Sequence, residues 1–137
     1  MARDLLHNEA KVAFEKDGWT VTHDSLDLTI GGVELYADLG AERLIAAEKG
    51  LEKIAVEIKT LGGQSLVTEF HKAMGQYDNY YLSLAELEPD RTLYLAIPEN
   101  AWNDFFQRPF IQKVIQVKAI KIVIFEPIQQ IILQWIK

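Results

Sequence analysis

The chain has 137 residues, 49% hydrophobic and 25% charged, the proportions of one globular domain with an ordinary core. Its 14 Lys and Arg stand against 20 Asp and Glu, a net charge of −6, which excludes a surface that attracts phosphate backbones as a whole and confines any nucleic-acid contact to a local patch or a partner. The lack of cysteine excludes disulfides, thiolate catalysis and cysteine-ligated metals; without an apolar signal core or a run near the ~20 apolar residues of a membrane helix, the expectation is a single cytoplasmic domain over residues 1–137 that does not engage membranes.

Residues 3–17 carry Leu6, Ala10, Ala13 and Phe14 at helical spacing, with Lys11, Glu15 and Lys16 turned outward and Gly18 as the stop. Thr20–His23 alternates as a short strand before the Asp24-Ser25 break. Leu28–Ile30 and Val33–Leu39 read as extended runs about a Gly31-Gly32 turn, and Gly40 is expected to end or bulge the second. Glu42–Ala47 and Glu52–Thr60 flank Lys49-Gly50 as a hairpin, although Arg43–Lys49 also fits one helical turn. In the second arm Ile54, Val56 and Ile58 share one face, and Ala55, Glu57 and Lys59 share the other.

Ser65 has N-cap chemistry, and from there to about Ser83 the residues Leu66, Phe70, Ala73, Met74, Tyr77, Tyr81 and Leu84 recur every three or four positions, predicting the longest helix and its buried stripe. Thr92–Ile97 is an apolar run of the kind covered on both faces, closed by Pro98. Glu99–Phe106 and Pro109–Gln116 read as short helices and Ile120–Phe125 as another interior strand, while the period of Ile128–Trp135 decides neither strand nor helix. The order predicts an α/β (α+β) fold, a central mixed sheet flanked by helices.

Phosphodiester hydrolysis needs a divalent cation, and hard cations such as Mg²⁺ take oxygen ligands, often one or two carboxylates. Asp38 and Glu57 supply such a pair. Glu57 and Lys59 share a strand face at roughly 6.5–7 Å, so Lys59 can hold an attacking water or the developing charge. Glu9-Ala10-Lys11 has the same spacing inside a helix, where i and i+2 do not face each other. Gln76 and Tyr80 stack on one side of the long helix, and Glu9 could approach the metal from the first.

Each residue also has a plainer reading. Ala55, Glu57 and Lys59 can be the solvent face of their strand, Tyr80 a core-edge aromatic and Glu9 a solvated helix residue. His7, His23 and His71 lack metal-ligand spacing and read as surface or packing residues; Trp19, Trp102 and Trp135 are dispersed as in a core. No Ser-His-Asp arrangement, Walker loop or G-x-G-x-x-G supports other hydrolase or nucleotide chemistry.

One acid, then Glu-x-Lys on a strand, then Gln-x-x-x-Tyr on the next helix resembles the PD-(D/E)xK nuclease superfamily. Its metal-binding acids map onto Asp38 and Glu57, its lysine onto Lys59 and its helix motif onto Gln76 and Tyr80; Ala37 stands where the superfamily name has proline. Longer blocks, Asp17-Gly-Trp19-Thr-Val-Thr-His23-Asp24, Leu35-Tyr-Ala-Asp38-Leu-Gly-Ala-Glu42, Ile54-Ala-Val-Glu57-Ile-Lys59-Thr, Gly75-Gln-Tyr77, Glu88-Pro-Asp-Arg91 and Gln134-Trp-Ile, resemble the XisH family over nearly the whole chain. These are small cyanobacterial proteins named as controlling factors for excision of the fdxN element. The resemblance implies a restriction-endonuclease-like fold, Mg²⁺ (or Mn²⁺ as substitute) on Asp38 and Glu57, and a supporting role in site-specific DNA excision. It implies DNA, a companion factor XisI and a separate site-specific recombinase as partners, and leaves a homo-oligomer open. Two readings follow: a Mg²⁺-dependent nuclease site, or a non-catalytic protein–protein adaptor on a retained nuclease fold, which the acidic charge suits.

Overall fold

A strand that is apolar on both faces is satisfied only between two covering layers, and the architecture is built around such strands. The computed structural model describes residues 4–46 and 50–137, which run in the order α1 (His7–Lys16), β1 (Thr20–His23), β2 (Leu26–Asp27), β3 (Tyr36–Ala37), β4 (Leu39–Ala46), β5 (Gly50–Ile58), α2 (Leu66–Leu87), β6 (Arg91–Pro98), α3 (Glu99–Asn103), a 3₁₀ turn (Phe105–Gln107), α4 (Pro109–Lys118), β7 (Ile122–Glu126) and β8 (Ile131–Ile136). Six strands form one mixed sheet in the order β1-β4-β5-β6-β7-β8, and β2 pairs with β3 beside it. The β5–β6 and β6–β7 pairs are parallel and the others antiparallel.

The two sheet faces carry separate cores. On one, Ala55, Leu93, Leu95, Ile97, Ile122 and Ile124 meet Phe70, Ala73, Met74 and Tyr77 of α2, with Phe105, Phe106, Ile111 and Ile115 from the segments after β6. On the other, Ile54, Val56, Ile58, Tyr94, Ala96, Val123 and Phe125 meet Ala10, Ala13 and Phe14 of α1. Trp135 closes that layer, edge-on to Phe14 at 5.9 Å and to Tyr94 at 4.9 Å. Full burial of a side chain such as Phe14 or Phe106 contributes about 1.5–3 kcal/mol. Among the described residues, no helix is long and apolar enough to cross a membrane.

The structure departs from the sequence reading in particular places. The first helix begins at His7, and Arg3, where it was expected to begin, lies outside the described residues. The two runs around Gly31-Gly32 shrink to two-residue strands plus an Ile30–Val33 bridge, and Leu39 belongs to the next strand. Gly40 neither ends nor bulges β4: the irregularity falls opposite it, between Val21 and His23, where a Cβ on Gly40 would stand 3.0 Å from the His23 ring. Arg43 to Ala46 are strand rather than helical turn; Ala47–Lys49, with most of the expected turn, lie outside the described residues.

Ser65 caps α2 as expected, its hydroxyl accepting from the Thr68 amide at 3.3 Å. Tyr81 is 60% exposed, and Tyr80 takes its place on the buried stripe. The stripe turns because Ser83 Oγ donates to the Leu28 carbonyl at 2.6 Å, drawing the flank of Tyr80 and Ser83 towards the segment after β2. Ile128–Trp135 resolves into a turn and β8, paired antiparallel with β7.

Candidate functional site

The Glu57 side of β5 is not a solvent face. Ala55 belongs to the α2-side core and Glu57 is 5% exposed, because β5 lies between β4 and β6 with both faces covered. The plainer reading of this strand is thereby corrected. Asp38 sits in the bend between β3 and β4. In the β4–β5 ladder Leu39 faces Val56, so one further step of that register sets Asp38 opposite Glu57. Asp38 Oδ2 accepts the Ile58 amide at 2.7 Å. Beyond the strand end, the Lys59 amide donates to the Ala96 carbonyl at 2.9 Å, and its Nζ reaches back to Glu57 Oε2 at 3.3 Å.

The electrostatics of the pair follow from its burial. Desolvation, then the charge of Asp38, pushes the Glu57 carboxyl up to about 8, while Lys59 opposes this. Burial raises Asp38 too, against the Ile58 amide and a hydrogen bond from Glu57 that hold it down. Burial beside Asp38 thus favours the protonated form of Glu57. Tyr80 is buried above them, and its phenol is raised first by desolvation and then by the charges of Glu57 and Asp38. Gln76 lies one turn earlier on the same side of α2.

Two oxygens here are buried without a hydrogen-bond partner, Glu57 Oε1 and Gln76 Oε1. Such atoms are rare in a folded protein and invite a ligand as their explanation. Among the described residues no group of three or more His, Cys, Asp or Glu is arranged to hold a metal ion. Asp38 and Glu57 are two carboxylate side chains, the number that would suit a hard cation keeping several water ligands, as Mg²⁺ does.

With the site's geometry in view, the relationship to other proteins is direct: the sequence model described as XisH protein matches residues 1–133. The chain belongs to the XisH family. Among solved structures, an XisH family protein from Nostoc punctiforme PCC 73102 is 41% identical with a TM-score of 0.88, over 98% of this chain and 100% of that one. An fdxN element excision controlling factor protein from Anabaena variabilis is 42% identical with a TM-score of 0.89, again over 98% of this chain and 100% of that one. No curated protein matches the chain.

The structure brings Asp38, Glu57, Lys59 and Tyr80 of this XisH protein together, with Gln76 on the adjacent turn of α2. Glu9 is half-buried on α1 and, among the described residues, makes no hydrogen bond or ion pair with Asp38 or Glu57. Sequence reasoning missed residues at and just before the start of α1 that do reach the site. His7, read as a lone surface or packing residue, is 3% exposed and faces both Asp24 and Asp38. Asp4 accepts the Thr60 amide at 3.0 Å and the Thr60 hydroxyl as well.

Proposed function

We propose that this XisH protein is a controlling or accessory factor for excision of a DNA element, as the printed name of the Anabaena variabilis relative says of that protein, built on a PD-(D/E)xK-type scaffold with a Mg²⁺-dependent phosphodiester-cleaving site. The observation that carries the cleavage reading is the Asp38–Glu57 pair: two carboxylates side by side in the protein interior, one with an unpartnered buried oxygen and a lysine at 3.3 Å from its other oxygen. Leaving such a group unsatisfied costs on the order of 1–3 kcal/mol, which a purely structural residue would not need to incur.

Asp38 and Glu57 would hold the cation, Mg²⁺ or Mn²⁺ in its place. When bound, the ion supplies charge shielding for a scissile phosphate and acidifies water. Glu57 must release its proton to take this role, so binding competes with protonation. Lys59, on the same side of the chain, steadies negative charge as it develops, and Tyr80 and Gln76 wall the site from α2. DNA, a companion factor of the XisI kind and a separate site-specific recombinase are the partners this role calls for.

The test is divalent-dependent nicking of duplex, branched and single-stranded DNA by wild type, Glu57→Ala and Lys59→Ala, with folding checked by circular dichroism. Cleavage that requires Mg²⁺ or Mn²⁺ and disappears in both variants supports the reading. A second reading, a non-catalytic adaptor for protein contacts, is favoured by the net charge of −6. It gains the field if wild type cuts none of these substrates with or without its companion protein and Glu57→Ala leaves excision in cells unchanged.

A further inference from the structure

His7 is buried to 3% exposure at the start of an outer helix, and its two ring nitrogens face different carboxylates. Nε2 lies 2.9 Å from Asp24 Oδ1, and the other Asp24 oxygen takes the Lys11 ammonium at 3.1 Å. Nδ1 faces Asp38 Oδ1 at 3.8 Å and has no hydrogen-bond partner. The same turn also grips the far end of the site, since Asp4 accepts from the Leu6 amide and from Thr60, the residue that follows Lys59. The turn that leads into α1 thus clasps the segments that carry Asp38 and Lys59.

A side chain needed only to fill space would be apolar here, because an unpaired buried ring nitrogen is costly. Asp38 Oδ2 is already fixed by the Ile58 amide, so the rotation left to the carboxylate depends on its neighbours Glu57 and, at Oδ1, His7. We propose that His7, braced by Asp24, is a positioning residue for Asp38: it fixes the carboxylate in the orientation that a divalent cation shared with Glu57 requires. The inference rests on the reading of Asp38 and Glu57 as a metal-holding pair. Outer-shell partners of this kind typically change metal affinity about 10- to 100-fold.

The experiment is calorimetric titration of Mn²⁺ into the full chain as wild type, His7→Gln and His7→Asn, with a urea unfolding curve for each. A glutamine places its terminal amide near the Nε2 position and keeps the bond to Asp24; an asparagine places its amide near Nδ1 and keeps a polar group beside Asp38. His7→Gln is expected to bind Mn²⁺ at least about tenfold more weakly with a near-native urea midpoint, and His7→Asn to stay within about threefold of wild type. Equal affinities in the two variants, whether native or weakened, would overturn the inference, because packing alone does not distinguish them. If His7→Gln fails to fold, Asp24→Asn loosens the ring without emptying its space and must weaken Mn²⁺ binding by about the same factor. Should wild type itself bind no Mn²⁺ at millimolar concentration, the metal-holding reading fails and carries this inference with it.

Discussion

Glu57 and Arg91 are ionisable side chains on adjacent strands of one sheet, each 5% exposed, and the protein treats them in opposite ways. Arg91 begins β6 and is saturated: its guanidinium donates to the Ile54 carbonyl at 3.0 Å and to Glu88 at 3.0 Å, and lies 3.5 Å from Glu42. Glu57, four residues beyond Lys53, which pairs in register with Arg91, has a second acid, Asp38, as its neighbour, a lysine at 3.3 Å and an oxygen with no partner. A charge kept for stability is enclosed by partners that cancel it. On the function proposed above, Glu57 is left with an open valence for chemistry, a difference that separates it from Arg91 more sharply than burial does.

The largest effect should come from the saturated end. Arg91→Met removes the clasp, including its bond to the Ile54 carbonyl, and leaves Glu42 and Glu88 without their cation; urea unfolding should show a loss of about 3–5 kcal/mol. A loss under about 1 kcal/mol would erase the contrast. At the open end the sign depends on pH. Folding raises the Glu57 carboxyl from 4.5 to about 8, so between those values the folded protein holds more proton than the unfolded chain. This contribution to stability is complete below 4.5 and is lost as pH rises through 8, with a slope of at most about 1.4 kcal/mol per pH unit for the one proton. Urea titrations across that range should show the decline in wild type and a flatter profile in Glu57→Gln. A wild type that grows more stable from pH 5 to 8 would contradict the buried, protonated carboxyl. The smallest effect belongs to Gln76, whose carbonyl is buried and unpaired. Gln76→Leu should leave stability unchanged or raise it by up to about 1 kcal/mol; a clear loss would mean the amide is structural after all.

What could be read beforehand follows from how local each signal is. The strand Thr20–His23, the Ser65 cap, the interior strand of Thr92–Ile97 and the sequence of helices after it are written in spacing that involves only chain neighbours, and the structure carries all of them. Glu57-x-Lys59 was legible as a motif, but that its strand face lies under α2 was not, since alternation along β5 does not say what covers each side. The choice between Tyr80 and Tyr81 turned on the contact between Ser83 and Leu28, 55 residues apart in the chain. The period of Ile128–Trp135 was ambiguous because β8 takes its form from pairing with β7. His7 was the costliest omission: its partners Asp24 and Asp38 lie 17 and 31 positions away, and nothing around His7 itself announces them.

The central claim is that the open valence beside Asp38 and Glu57 is held for a divalent cation. The most direct measurement is isothermal titration of Mg²⁺, and then Mn²⁺, into wild type and Asp38→Asn at a pH well above 8, where deprotonation of Glu57 is favoured. The prediction is one ion per chain in wild type and affinity weakened at least about tenfold in the variant. No binding to wild type at millimolar ion, or equal binding to both proteins, would contradict it.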